Sequence, residues 1–166
     1  MARLMFLTCC VLLLLPSGCA QPKHTHADIA FNGTTWSMEL AIGDAAIQRG
    51  LMDRATLDEG SGMLFVFPRT ELRSFWMAWC LMPIDLVFLD GRGRVVATHE
   101  MQTEPPIRDD EPQWAYFDRM TAYPSGVPVR FAAEFPAGTI NAHGFNPGDK
   151  VELDIDGLLA LEQRSH

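Results

Sequence analysis

The stretch IDLVFLDGRGRVVATHE, residues 84–100, decides the fold class. Its first six positions are apolar except for Asp85, and Asp90-Gly91 closes the run before RVVATHE returns. A β-prone apolar run, a turn and a second β-prone run read as a hairpin. In an extended strand Ile84, Leu86 and Phe88 share one face, while Asp85, Val87 and Leu89 share the other. Both faces are apolar, so the strand requires cover on both sides.

Working outward, GMLFVF (62–67) ends at Pro68, and SFWMAWCLM (74–82) is aromatic and β-prone. VPVRFAAEFPAG (127–138) and DKVELDID (149–156) read as two closing strands. Upstream, Asn32-Gly33 separates two alternating segments as a two-residue hairpin turn would, with Trp36, Met38 and Leu40 on one face of the second. The period changes in IGDAAIQRGLMDRATL, where Ile47 and Leu51 fall at helical spacing, Asp44 is the expected N-cap and Gly50 weakens the middle. One short helix over about 44–53 follows. The proline- and acid-rich MQTEPPIRDDEPQW (101–114) is expected as a surface loop. The fold class expected is mainly β: a compact single-domain β-barrel or sandwich of short strands with that one helix.

The domain reading divides the chain into a signal peptide (1–18), a tether (19–27), a β-rich domain (28–157) and a C-terminal tail (158–166). Arg3 precedes an apolar stretch, Leu4–Leu15, too short to span a bilayer and followed by small residues, which is the pattern of secretory export. The sequence LLLLPSGCA (12–20) resembles the processing site of bacterial lipoproteins, which implies lipidation of Cys19. Pro16 stands where that pattern prefers an aliphatic residue, and an ordinary cleavage would leave Cys19 a free thiol. The expected location is a bacterial membrane, facing the periplasm or the exterior, held by lipid whose buried methylenes add about 0.8 kcal/mol each.

Of four cysteines, Cys9 and Cys10 leave with the signal and Cys19 carries lipid, so Cys80 alone remains as a thiol. The net charge of −8, with no basic stripe, argues against nucleic acid as a partner. His24 and His26 lie in the tether without convergent further ligands, so no metal site is assigned to them.

The motifs RGLMDR (49–54), GMLFVF, SFWM (74–77), MPIDLVFLD (82–90), GRVV (93–96) and FPAG…GD, in that order, resemble the small prokaryotic family catalogued as domain of unknown function 192. The resemblance covers roughly residues 36–154 and implies a compact β-rich domain, often exported, with no established activity. That family usually follows FWM with a Lys-Asn-Thr-like segment, where this chain has Ala78, Trp79 and Cys80.

Asp85 is the most informative polar residue. A buried carboxylate needs a partner, and the arginines Arg49 and Arg54 of RGLMDR are the candidates. One reading is a structural ion pair pinning helix to sheet. The other is a pocket in which Asp85, an arginine and Trp76 bind a small molecule or glycan. The first is preferred, because structural pairs bury charge as active sites do.

Catalysis has weak support. A Gly-x-Ser-x-Gly elbow is missing, Cys80 has no histidine partner in the sequence, and DGRGR is a hairpin turn rather than a phosphate loop. The function expected is therefore a non-catalytic ligand-binding or envelope-associated module without a cofactor. The alternatives are a small hydrolase of envelope carbohydrate using Asp85 as acid or base, and a Cu(I)-binding protein using Met52, Met63, Met77 and Met82 with Cys80. Core packing is the preferred account of those methionines, because three of them sit inside apolar strand or helix patterns.

Overall fold

A computed structural model describes residues 26–165. The signal peptide, Cys19 and most of the tether lie outside the described residues.

Strands β1 (His26–Phe31) and β2 (Thr34–Ile42) form the expected hairpin. Asn32 and Gly33 take φ of 48° and 78°, the left-handed region such a turn demands. Helix α1 (Asp44–Arg49) is followed by β3 (Ser61–Glu71), β4 (Ser74–Phe75), β5 (Ile84–Leu89) and β6 (Val95–Met101). Then come α2 (Gln113–Asp118), β7 (Tyr123–Pro124), β8 (Val129–Pro136), α3 (Thr139–His143) and α4 (Ile155–Gln163).

Six strands make one sheet in the order β1-β2-β3-β8-β5-β6, with β2 and β3 parallel and every other neighbouring pair antiparallel. Strands β4 and β7 form a separate two-stranded sheet. The architecture is sandwich-like, not a closed barrel. The segment 148–152 nevertheless bonds to both outer strands: Ala30 exchanges bonds with Glu152, and Val95 with Gly148 and Asp149.

Two cores lie on the two faces. One gathers Trp36, Met38, Leu64, Val87, Leu89 and Phe135; the other gathers Phe65, Phe67, Met77, Ile84, Leu86 and Phe88. All six residues of β5 are buried, and its odd and even positions divide between these cores. Asp85 is the exception, as the only polar side chain of that strand.

Several expectations need correction. The sequence predicts one helix; among the described residues four short ones form. Helix α1 stops at Arg49 rather than near residue 53, because Gly50 takes φ 48° and turns the chain. Its N-cap is Gly43, and Asp44 is the first helical residue. SFWMAWCLM yields only the two-residue β4 before a turn, with Cys80 N–H bonded to Met77 O. DKVELDID makes isolated bridges and then opens α4. The residues read as a tail therefore belong largely to a helix, capped by the Asp154 carboxylate on Gly157 N–H and burying Leu158 and Glu162.

The loop ahead of α2 does lie at the surface, but it is tied down. Arg119 Nε donates to Glu111 Oε1 at 2.8 Å, and its Nη2 reaches Glu111 Oε2 and the carbonyls of Pro105 and Pro106. Such bidentate pairing fixes both partners.

Candidate functional site

Four residues were expected to converge: Arg49, Arg54, Trp76 and Asp85. The structure brings Arg49 and Trp76 to one cavity and separates the other two. Asp85 is 1% exposed and has no arginine partner. Its Oδ2 accepts the Ile140 N–H at 2.7 Å, and the N–H groups of Gly138 and Thr139 also serve it. The start of α3 thus replaces the expected guanidinium, since unpaired helical N–H groups are ready donors to a carboxylate. Burial still raises the Asp85 carboxyl above the ordinary range, the amides acting against it.

The arginines are spent elsewhere. Arg54 Nη2 lies 2.7 Å from Glu39 Oε2, and Arg49 lies 3.8 Å from Asp53 in an exposed pair. Glu100 faces Asp85 across the β5–β6 ladder, but it is exposed and accepts from Asn141 Nδ2. Asp85 does not line the cavity that holds Arg49 and Trp76.

That cavity, about 400 Å³, opens between α1 with the turn after it and the β3–β4 region. Its walls include Phe65, Phe67, Phe75 and Trp76. Phe75 meets Phe65 edge-on at 4.9 Å and Phe67 at 6.4 Å, so the rings brace one another. Trp76 stays 46% exposed. The polar lining includes Asp44, Arg49, Arg73 and Glu134.

Glu134 is the residue that sequence reasoning missed. It sits in β8, paired with Met63 on β3 and Leu86 on β5, and is 5% exposed. Its Oε2 is buried without a hydrogen-bond partner. Burial pushes its carboxyl up to about 8, the Arg54 cation pulling weakly the other way. At neutral pH the group is largely a protonated acid, as an apolar site dictates. The criterion that singles out Asp85, a carboxylate inside an apolar strand, applies equally to RFAAEFP and was the available signal.

Arg73 lines the same cavity. Its guanidinium carbon stands 4.5 Å over the Phe67 ring, its Nη2 bonds Glu71 at 3.0 Å, and its Nε is buried without a partner. Cys80 also lines the cavity; burial, with Glu134 and Asp53 adding to it, pushes the thiol up to about 12. A thiol so rarely ionised is a poor nucleophile or metal ligand. Met63, Met77 and Met82 are buried in the second core.

The departure at residues 78–80 has a backbone consequence. Trp79 takes φ 55°, a left-handed conformation that asparagine tolerates far better than a bulky aromatic. Here the strain is offset by packing. The indole lies 5.4 Å from the Tyr116 ring and 5.2 Å from Phe117, while Trp79 N–H donates to Tyr116 Oη at 3.0 Å and Trp79 O accepts from Asp53 N–H.

Comparison with known proteins agrees with this architecture. A protein from Sinorhizobium meliloti 1021, provisionally assigned as a transcription regulator, is 26% identical with TM-score 0.62, covering 78% of this chain and 93% of its own. A protein of unknown function from Novosphingobium aromaticivorans DSM 12444 is 26% identical with TM-score 0.61, covering 76% and 83%. No curated protein matches the chain. Residues 27–153 match the profile of the DUF192 family, described as Uncharacterized ACR, and the chain belongs to that family.

Proposed function

We propose that this chain is an exported, lipid-anchored module of the bacterial envelope that binds a small molecule, without catalysis, in the cavity between α1 and β4. The observation that carries the reading is the cavity itself: about 400 Å³, walled by aromatic rings and with Asp44, Arg49, Arg73 and Glu134 in its lining. Sites for small organic ligands have that size and character. The export signal and Cys19 support the location. A hydrolase built on Asp85 loses its support, because that carboxylate is occupied by backbone amides and faces no open cleft.

The test is a fragment screen on the purified protein read by amide chemical shifts. Hits should perturb Gly50, Leu51, Trp76 and Cys80 together. A screen whose hits leave those four amides unmoved would refute the assignment of the cavity.

A further inference from the structure

Among the described residues, the large apolar side chains that stay exposed come from two segments, 72–81 and 107–127. The fold joins these segments through the pairing of β4 with β7. Arg73 N–H donates to Ser125 Oγ, Ser125 N–H to Arg73 O and Ser125 Oγ to Val127 O, so Leu72 and Val127 flank one small hydrogen-bonded cluster. Past β4, Trp76 meets the Phe117 ring at 6.1 Å, and Trp114 stands one turn earlier on α2. Trp114 is 73% exposed and Leu72 66%. Exposed apolar groups clustered in this way mark a surface that meets a partner.

The chemistry of the surface selects the partner. Its neighbouring cations are already paired, Arg73 with Glu71, Arg108 with Asp110 and Glu111, and Arg119 with Glu111. With a net charge of −8, the chain gains nothing from an anionic surface. Two tryptophans beside a phenylalanine and aliphatic side chains suit the boundary between lipid headgroups and acyl chains.

The start of β1 supplies the geometry. Six residues separate Cys19 from His26, so lipid on Cys19 holds His26 within about 25 Å of the bilayer. His26 lies in register with Glu39, Met63, Glu134, Leu86 and His99, a row about 24 Å long at the usual strand spacing. His99 Nε2 donates to Pro124 O of β7 at 2.9 Å, so the row ends against the β4–β7 pair. Because β1 is antiparallel to β2 and β2 parallel to β3, β1 begins at the end of the sheet where β3 runs out towards Leu72. The anchor is thus long enough, and leaves from the right end, for the apolar surface to reach the membrane. Resting on the reading of the chain as lipid-anchored at Cys19, we propose that Leu72, Trp76, Trp114, Phe117 and Val127 dock on the bilayer that carries the anchor.

The experiment places the full chain, isolated from membranes, in phosphatidylcholine vesicles with and without bromine on the acyl chains, and follows tryptophan fluorescence. Mass spectrometry of the N-terminus reports the anchor independently. Brominated lipid should quench part of the emission and spare Trp36, which is buried in the core. Trp114→Glu, checked as folded by circular dichroism, should lose most of the quenching, whereas Trp114→Phe should keep the share that belongs to Trp76. Adding phosphatidylglycerol should not deepen the quenching; a deeper effect would overturn the apolar basis of docking. Lipid on Cys19 without quenching, or quenching undiminished in Trp114→Glu, would overturn the docking and leave the anchor standing. Quenching by added vesicles without lipid on Cys19 would support the docking and overturn the anchor, and the absence of both would overturn both. A cross-linked dimer abolished by Trp114→Glu would assign the surface to a second copy and overturn the proposal.

Discussion

The backbone N–H of Ile140 donates to Asp85 Oδ2 at 2.7 Å, tying the buried strand β5 to the first turn of α3. The contact is a fastening, because Asp85 is 1% exposed and the amides before Ile140 point the same way. Asp85→Ala should strand those donors and destabilise the protein by about 2–3 kcal/mol, whereas Asp85→Asn keeps an acceptor and should lose less. Urea denaturation measures both. An unchanged midpoint in Asp85→Ala would show that α3 does not depend on the carboxylate.

Arg119 holds the proline loop to α2 through Glu111 and two carbonyls. Its guanidinium holds the Glu111 carboxyl down to about 2. Arg119→Ala should therefore speed proteolytic cleavage within residues 102–112 while leaving hydrogen-exchange protection of β5 and β8 unchanged. Cleavage at the native rate would place the loop's order elsewhere.

Cys19 is expected to carry the lipid. Mass spectrometry of the N-terminus from membranes should find an acylated cysteine as the first residue. An unmodified N-terminus beyond Cys19 would remove the anchor and leave export standing.

Stability should depend on pH with a definite sign. Glu134 rises from 4.5 to about 8 on folding, so below pH 4.5 both states hold the proton and its contribution is complete. Between pH 4.5 and 8 the unfolded chain has released a proton that the folded protein keeps, and stability falls by up to about 1.4 kcal/mol per pH unit. Asp85, also raised, acts in the same direction. Glu111 acts oppositely: its contribution is present above 4.5 and is lost as pH falls through about 2. Maximum stability is expected at about pH 4–5. Glu134→Gln should flatten the decline from pH 5 to 8, and an identical slope in the variant would assign that decline to other groups.

The sheet was legible because its strands carry period-two patterns or continuous apolar runs, and β5 divides between two cores as its sequence implies. The short helices were not. Helix α3 spans five residues, too few for a helical period to show, and α2 begins at a proline that reads as loop. At the site, Trp76 and Arg49 were legible as motif residues, but the partner of Asp85 was not. A side chain was expected, and backbone amides, which no sequence pattern marks, supplied the bonds. RFAAEFP marks Glu134 as a carboxylate inside an apolar strand, but that it lines one cavity with Arg73 and α1 is a relation made only by the tertiary fold.

The central claim is that this cavity contains an acid kept protonated by burial. The most direct measurement is a ¹³C NMR titration of the Glu134 side-chain carboxyl, assigned by its absence in Glu134→Gln. A midpoint near pH 8 is the result expected from the buried, unpartnered carboxyl. A midpoint near 4.5, the ordinary value for a glutamate, would mean that the group is solvated or paired in solution, and the account of the cavity would be contradicted.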